Sequence, residues 1–289
     1  FDPKIKDLLK QEIDLKNEYT KLTAGAKISY EGKEYNLAGL GPFHSDVNRN
    51  IRKKSYEARY GWFKDNENEL DDIYDKLVKL RHEIATTLGY DNFIELGYYR
   101  MGRSDYGPEE VANFRRQIVD HVVPIVTKLY EQKKEILGLD ELYFYDGINF
   151  KDGDPKPKGT PDELVKSAQE MYHELSPETG EFFDTMVNEE LMDLVNRDGK
   201  RPGGFCTSFP KYDRPYIFSN FNGTDHDITV LTHEAGHAFQ NYSSTHLPLV
   251  NYHWPTMEAA EIHSMSMEFF TWPWMKKFFK EDTEKFKYK

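Results

Sequence analysis

Cysteine is nearly absent from this chain. Cys206 stands alone in 289 residues, so no internal disulfide can form and a reducing compartment, the cytoplasm, is expected. Positive charge is short as well: Lys and Arg total 38 against 50 Asp and Glu, a formal net charge of -12. That balance argues against nucleic acid or an anionic membrane surface as a partner. It is at most favourable to cationic peptides, and more simply marks a soluble acidic protein. Long apolar runs are missing too, with mean hydropathy at -0.77 and nothing near the roughly 20 residues of a membrane-spanning helix. No secretory leader and no internal repeat is visible. Apolar residues still make up 38% and aromatics 15%, ample for the core of one large domain or two smaller ones.

The pattern reads as mainly helical with a small β insert. Asp2-Pro3 opens a helix as N-cap and N1, and Ile5, Leu8, Leu9, Ile13 and Leu15 form its apolar stripe to about Tyr19. Residues 27–37 alternate around Glu31-Gly32 and predict a hairpin. A long helical region follows from Ser45 to about Leu88, and another from Pro108 to about Leu137, which Pro124 should kink or interrupt. The loop 151–159, rich in Lys, Pro and Gly, divides a helical lobe with a β-hairpin (1–150) from a catalytic region (151–289). Thr160-Pro-Asp-Glu163 is a capping box with Pro at N1, and helices then run to about Asn196. Short strands are expected at Gly203–Thr207 and Tyr216–Asn220.

His233-Glu-Ala-Gly-His237 carries the functional argument. Residues four apart share one face of a helix, so both imidazoles can reach one metal ion, and Glu234 can hold a water on that ion as general base. Random placement gives H-E-x-x-H in about one in thirty chains of this composition, so context has to decide. A site of this kind needs a third protein ligand. Downstream, Glu258, Glu261 and Glu268 lie in another helical stretch. Glu261 and Glu268 are two turns apart on one face, so one can ligate while the other accepts an imidazole N–H. Glu258 lies close to that face, and spacing leaves the ligand open. The metzincin pattern is excluded, because Gln240 and Ser243 stand where it requires Gly and His. Asp227 is expected as the N-cap of this helix, and Gly236 implies close approach by another backbone, for which the strand at Phe205 is a candidate.

These motifs resemble the M3 family of zinc oligopeptidases, the thimet oligopeptidase and oligoendopeptidase F group. The resemblance rests on H-E-x-G-H followed by Glu261-Ile-His-Ser-Met-Ser-Met-Glu268. It extends to Gly199-Lys-Arg-Pro-Gly-Gly-Phe-Cys206, to Tyr216–Asp227, and to segments near Asp46–Tyr56 and Leu88–Phe93. It implies a zincin-type helical metallopeptidase with a small sheet beside its cleft and one Zn2+ per chain. His233, His237 and Glu261 are then the ligands, Glu234 the general base, and Glu268 the partner of a ligating imidazole. Gly203, Gly204 and Phe205 would lie on a strand edge that pairs with an extended peptide.

The expected activity is endopeptidase cleavage of short unstructured peptides. The family's oxyanion-binding tyrosine and histidine lie well downstream of the third ligand, and no counterpart is visible before Lys289. With Phe1 in place of an initiator Met, the chain reads as an internal segment of a longer protein. Two other readings stay open: a zinc carboxypeptidase of the M32 type, with the same helix and a later glutamate, and a non-catalytic peptide-binding protein.

Overall fold

The computed structural model describes residues 2–289. Helix α1 (Lys6–Ala24) follows a short turn capped by Asp2, whose carboxylate accepts the Lys4 N–H at 2.9 Å. Leu8, Leu9 and Leu15 pack with Ile5 against Leu80 and Ile84, but Ile13, expected in this stripe, faces solvent. Glu12 occupies the buried face instead, where Arg81 and Arg100 each donate to its carboxylate at 2.8 Å. Such a pairing keeps a charge tolerable in a buried place. Strands β1 (Ile28–Tyr30) and β2 (Lys33–Tyr35) form the expected hairpin. Glu31 and Gly32 both take positive φ, 48° and 75°, as a tight two-residue turn between twisted strands requires.

After the short α2 (Gly41–His44), the region expected as one long helix is two, α3 (Arg49–Asp65) and α4 (Glu67–Thr87). They break at Asn66, whose side-chain amide donates to the Trp62 carbonyl. Helix α5 (Phe93–Arg100) leads into α6 (Pro108–Gln117) and α7 (Val123–Leu137), joined by a π-helical turn over Ile118–Val122. That wider turn lies just before Pro124, which has no N–H to give the ladder.

The second half holds the main core. Helices α8 (Pro161–Leu175), opened by the Thr160–Glu163 capping box, and α9 (Pro177–Asn188) bury Tyr172, Phe182 and Phe183 against the sheet and the next helix. The helical run does not reach Asn196. Met192–Val195 is strand β3, parallel to β5 (Arg214–Phe221), while β4 (Phe205–Phe209) runs antiparallel to β5, giving the order β3-β5-β4. Four residues are too few for alternation to separate a buried strand from a helix end. Helix α10 (His226–Ser244) crosses this sheet and packs on α11 (Met257–Thr271); α12 (Lys276–Phe279) and α13 (Thr283–Tyr288) follow. Polar contacts tie the two halves together: the Asn36 and Asn196 amides exchange hydrogen bonds at 2.8 and 3.1 Å, and Arg103 reaches Glu258 on α11. Among the described residues, no helix is long and apolar enough to cross a membrane.

Candidate active site

Helix α10 begins where β5 ends, and Asp227 fastens the join. It lies within the first turn and is not the N-cap; its carboxylate accepts the N–H groups of Asn222 and Gly223 from the incoming loop, the latter at 2.8 Å. Burial raises this carboxyl to about 6 against those bonds. Two turns on, His233 and His237 face α11, while Glu234 turns toward β4.

The sequence placed Gly236 against a neighbouring backbone, and the neighbour is α11, not the strand at Phe205. A Cβ at Gly236 would lie 2.7 Å from both the His263 carbonyl oxygen and Ser264 Cα. Only a glycine lets the two helices cross this closely. The crossing brings Glu261 and Glu268 over the two histidines. Glu268 Oε1 lies 2.7 Å from His233 Nδ1; an ionised carboxylate only accepts, so this contact favours the tautomer with its proton on Nδ1, the one whose Nε2 lone pair is available to a metal. Glu261 Oε2 is 3.2 Å from His233 Nε2 and 3.8 Å from His237 Nε2. These donor atoms all lie within 4.8 Å of one another.

Glu258, which shares roughly the same face by spacing, is engaged elsewhere. Arg103 Nε donates to it at 2.6 Å, far along the chain and exposed to solvent. Ser264 was not foreseen: it is fully buried, and its hydroxyl donates to Glu261 Oε2 at 2.9 Å and to the Glu261 carbonyl at 3.1 Å. Its signal lay in the sequence as the residue one turn after Glu261, but a serine there is also an ordinary helix residue.

Glu234 is buried, and its Oε2 has no hydrogen-bond partner. Burial raises its carboxyl to about 7; His233 opposes this, Glu261 adds to it, and the Cys206 N–H offsets part. Gly204 covers the carboxylate from the β4 side, since a Cβ there would stand 3.5 Å from Glu234 Oε1 and 2.9 Å from Val230 Cγ1. Gly203, at φ 94°, makes the turn into β4, and the Phe205 ring stacks on Phe218. With β5 on one side, β4 is an edge of the sheet. A cavity of about 370 Å³ adjoins Gly203 and Gly204 and is lined also by His44, Tyr56 and Arg59 from the first half. The Cys206 thiol is pushed up by burial, which disfavours the thiolate a nucleophile needs.

The donor set fits a zinc ion. Two imidazole nitrogens and one carboxylate oxygen are the ligand types of catalytic zinc, and tetrahedral bonds of about 2.1 Å place ligand atoms about 3.4 Å apart. The orphaned Glu234 oxygen marks a polar atom beside that cluster with no protein partner to satisfy it.

Comparison with known proteins gives the chain a family. The model of peptidase family M3 matches residues 43–289. The chain is 28% identical to an oligoendopeptidase F homolog of Borreliella burgdorferi over 78% of its own length and 38% of that protein's. It is 26% identical to the chromosomal oligoendopeptidase F of Lactococcus lactis subsp. cremoris, over 88% of this chain and 40% of that one. Among solved structures, PZ peptidase A with an inhibitor superposes at a TM-score of 0.98 and 54% identity, covering 100% of this chain and 51% of that one. A Bacillus anthracis structure described provisionally as an oligoendopeptidase F gives 0.97 and 50%, with 53% of that chain covered. The chain thus spans about two fifths of these curated relatives and about half of the solved ones.

Proposed function

The chain belongs to peptidase family M3, and from that premise we propose that it carries the zinc-binding machinery of an oligopeptidase that cuts internal bonds of short, unstructured peptides. The convergence of His233 Nε2, His237 Nε2 and Glu261 Oε2 beside the unpartnered Glu234 Oε2 carries this reading. His233, His237 and Glu261 would hold one zinc ion. When bound, that ion supplies a Lewis acid that polarises the scissile carbonyl and acidifies water.

The chain's own groups do the rest. Glu234 takes a proton from the attacking water and delivers it to the leaving amine nitrogen. Its buried position favours this exchange, because a carboxyl raised toward neutrality both accepts and returns a proton readily. Glu268 keeps the His233 proton on Nδ1, and the Ser264 hydroxyl holds the Glu261 carboxylate in place. The free edge at Gly203, Gly204 and Phe205 would pair with the main chain of an extended peptide and lay it across Glu234. Acidic charge and a single cysteine support a cytoplasmic setting and give no support to nucleic acid or membrane partners.

The test is cleavage of peptides about five to twenty residues long, with products mapped by mass beside Glu234→Gln. Internal cuts by the wild type, with none from a Glu234→Gln variant that still binds zinc, would carry the assignment. Turnover retained in Glu234→Gln would remove the assignment, and release of single C-terminal residues would favour the carboxypeptidase reading.

A further inference from the structure

The two histidines of the cluster are held by different means. The His233 ring is fixed by Glu268, but among the described residues no group hydrogen-bonds the far nitrogen of His237. An imidazole that must present one nitrogen to a metal needs its ring plane fixed, and a hydrogen bond at the other nitrogen is the usual device. What lies against His237 instead is the Trp254 indole, its ring centroid 6.0 Å away and tilted by 33°.

The backbone just before Trp254 is pinned to the end of α10. Asn241, one turn beyond His237 and 1% exposed, donates from Nδ2 to the His253 carbonyl at 3.1 Å, and Gln240 reaches the same oxygen at 3.4 Å. The His253 ring is itself buried, its Nε2 2.9 Å from the Leu247 carbonyl. Three polar contacts thus converge on residue 253, and the next side chain is laid on the ligand ring. A segment fastened only to fill space would not need its anchor one residue from His237's neighbour and one turn from His237 itself.

We infer that Trp254 is a positioning residue for His237. Its indole forms a wall that holds the imidazole plane toward Glu261, doing by packing what Glu268 does for His233 by hydrogen bonding, with Asn241 fixing the wall. This inference rests on the zinc site proposed above.

Zinc affinity, measured by competition with a chelator on the whole chain, separates the two ideas. Wild-type binding reads the metal site, and the ratio of variant to wild type reads the role of Trp254. Trp254→Ala should weaken zinc by about tenfold or more, and Trp254→Phe, which keeps a flat wall, should recover most of it. The melting temperature of the zinc-free protein should stay near wild type, because the indole is more than a third exposed. Cobalt in place of zinc should give a changed visible spectrum in Trp254→Ala and a near-native one in Trp254→Phe. A Trp254→Ala protein that binds zinc within about twofold of wild type, with an unaltered cobalt spectrum, would overturn the inference. A wild type that binds no zinc would overturn both it and the site.

Discussion

Gly236 and Ser264 meet backbone to backbone: Ser264 Cα lies 2.7 Å from where a Cβ on Gly236 would stand. Met267 Cβ closes the same gap at 2.9 Å. Gly236→Ala must therefore push α11 off α10 and carry Glu261 and Glu268 away from the histidines. Overpacking of this kind costs about 1–3 kcal/mol. Zinc affinity should fall along with thermal stability, and a Gly236→Ala protein with native zinc affinity would show that this crossing does not set the ligand geometry.

The hydroxyl that steadies Glu261 can be removed with little change in volume. Ser264→Ala should lower zinc affinity by about tenfold, the lower end of what lost ligand support produces. The melting temperature without zinc should move much less. Equal zinc titrations for the two proteins would mean Glu261 needs no such support.

Arg103 engages Glu258, one of two glutamates that the sequence could not separate, and leaves Glu261 beside the histidines. Glu258→Ala should keep zinc bound, while Glu261→Ala should lose it. Metal content after dialysis reads the difference, and the opposite pattern would transfer the ligand role to Glu258.

Asp146 offers a test in acid. Its side chain is fully buried and meets Arg49 and Arg52 at 2.7 and 2.9 Å. Burial alone would raise its carboxyl, but the Arg49, Tyr143 N–H and Arg52 hydrogen bonds outweigh it and hold the group at about 2, below its ordinary 3.8. A folded value below the unfolded one means the stabilisation is complete above about 3.8 and disappears as pH falls toward 2. Asp146→Asn leaves Arg52 buried without its counter-charge and should cost about 3–5 kcal/mol near neutral pH. In denaturant titrations, that gap should narrow as the pH is taken from 5 toward 2.

Local signals in the sequence survived folding; long-range ones did not show. The Glu31-Gly32 turn, the Thr160–Glu163 capping box and the H-E-x-x-H helix are each set within a few residues, and each stands where its pattern placed it. Strand β3 was lost in a helical reading because its pairing partner, β5, comes some twenty residues later. Glu12 interrupts an apolar stripe on account of Arg81 and Arg100, neither of which the α1 pattern can reveal. At the candidate site, the H-E-x-x-H spacing was enough to expect His233 and His237 on one face of a helix, and the structure brings them together. The choice of Glu261, the support from Ser264 and the contact of Trp254 depend on how α10, α11 and the segment between them pack.

The Gly236 crossing also bears on motion. Where two helices touch through their backbones there is no side chain to slide or rotate, so α10 and α11 should travel as one body and the ligand cluster with them. Among the contacts described above, the first half reaches that body through the Arg103–Glu258 pair, a partly exposed ion pair that water can replace at small cost. If that body shifts against the first half, the give lies at this polar seam, and the spacing of His233, His237 and Glu261 is carried through the movement unchanged.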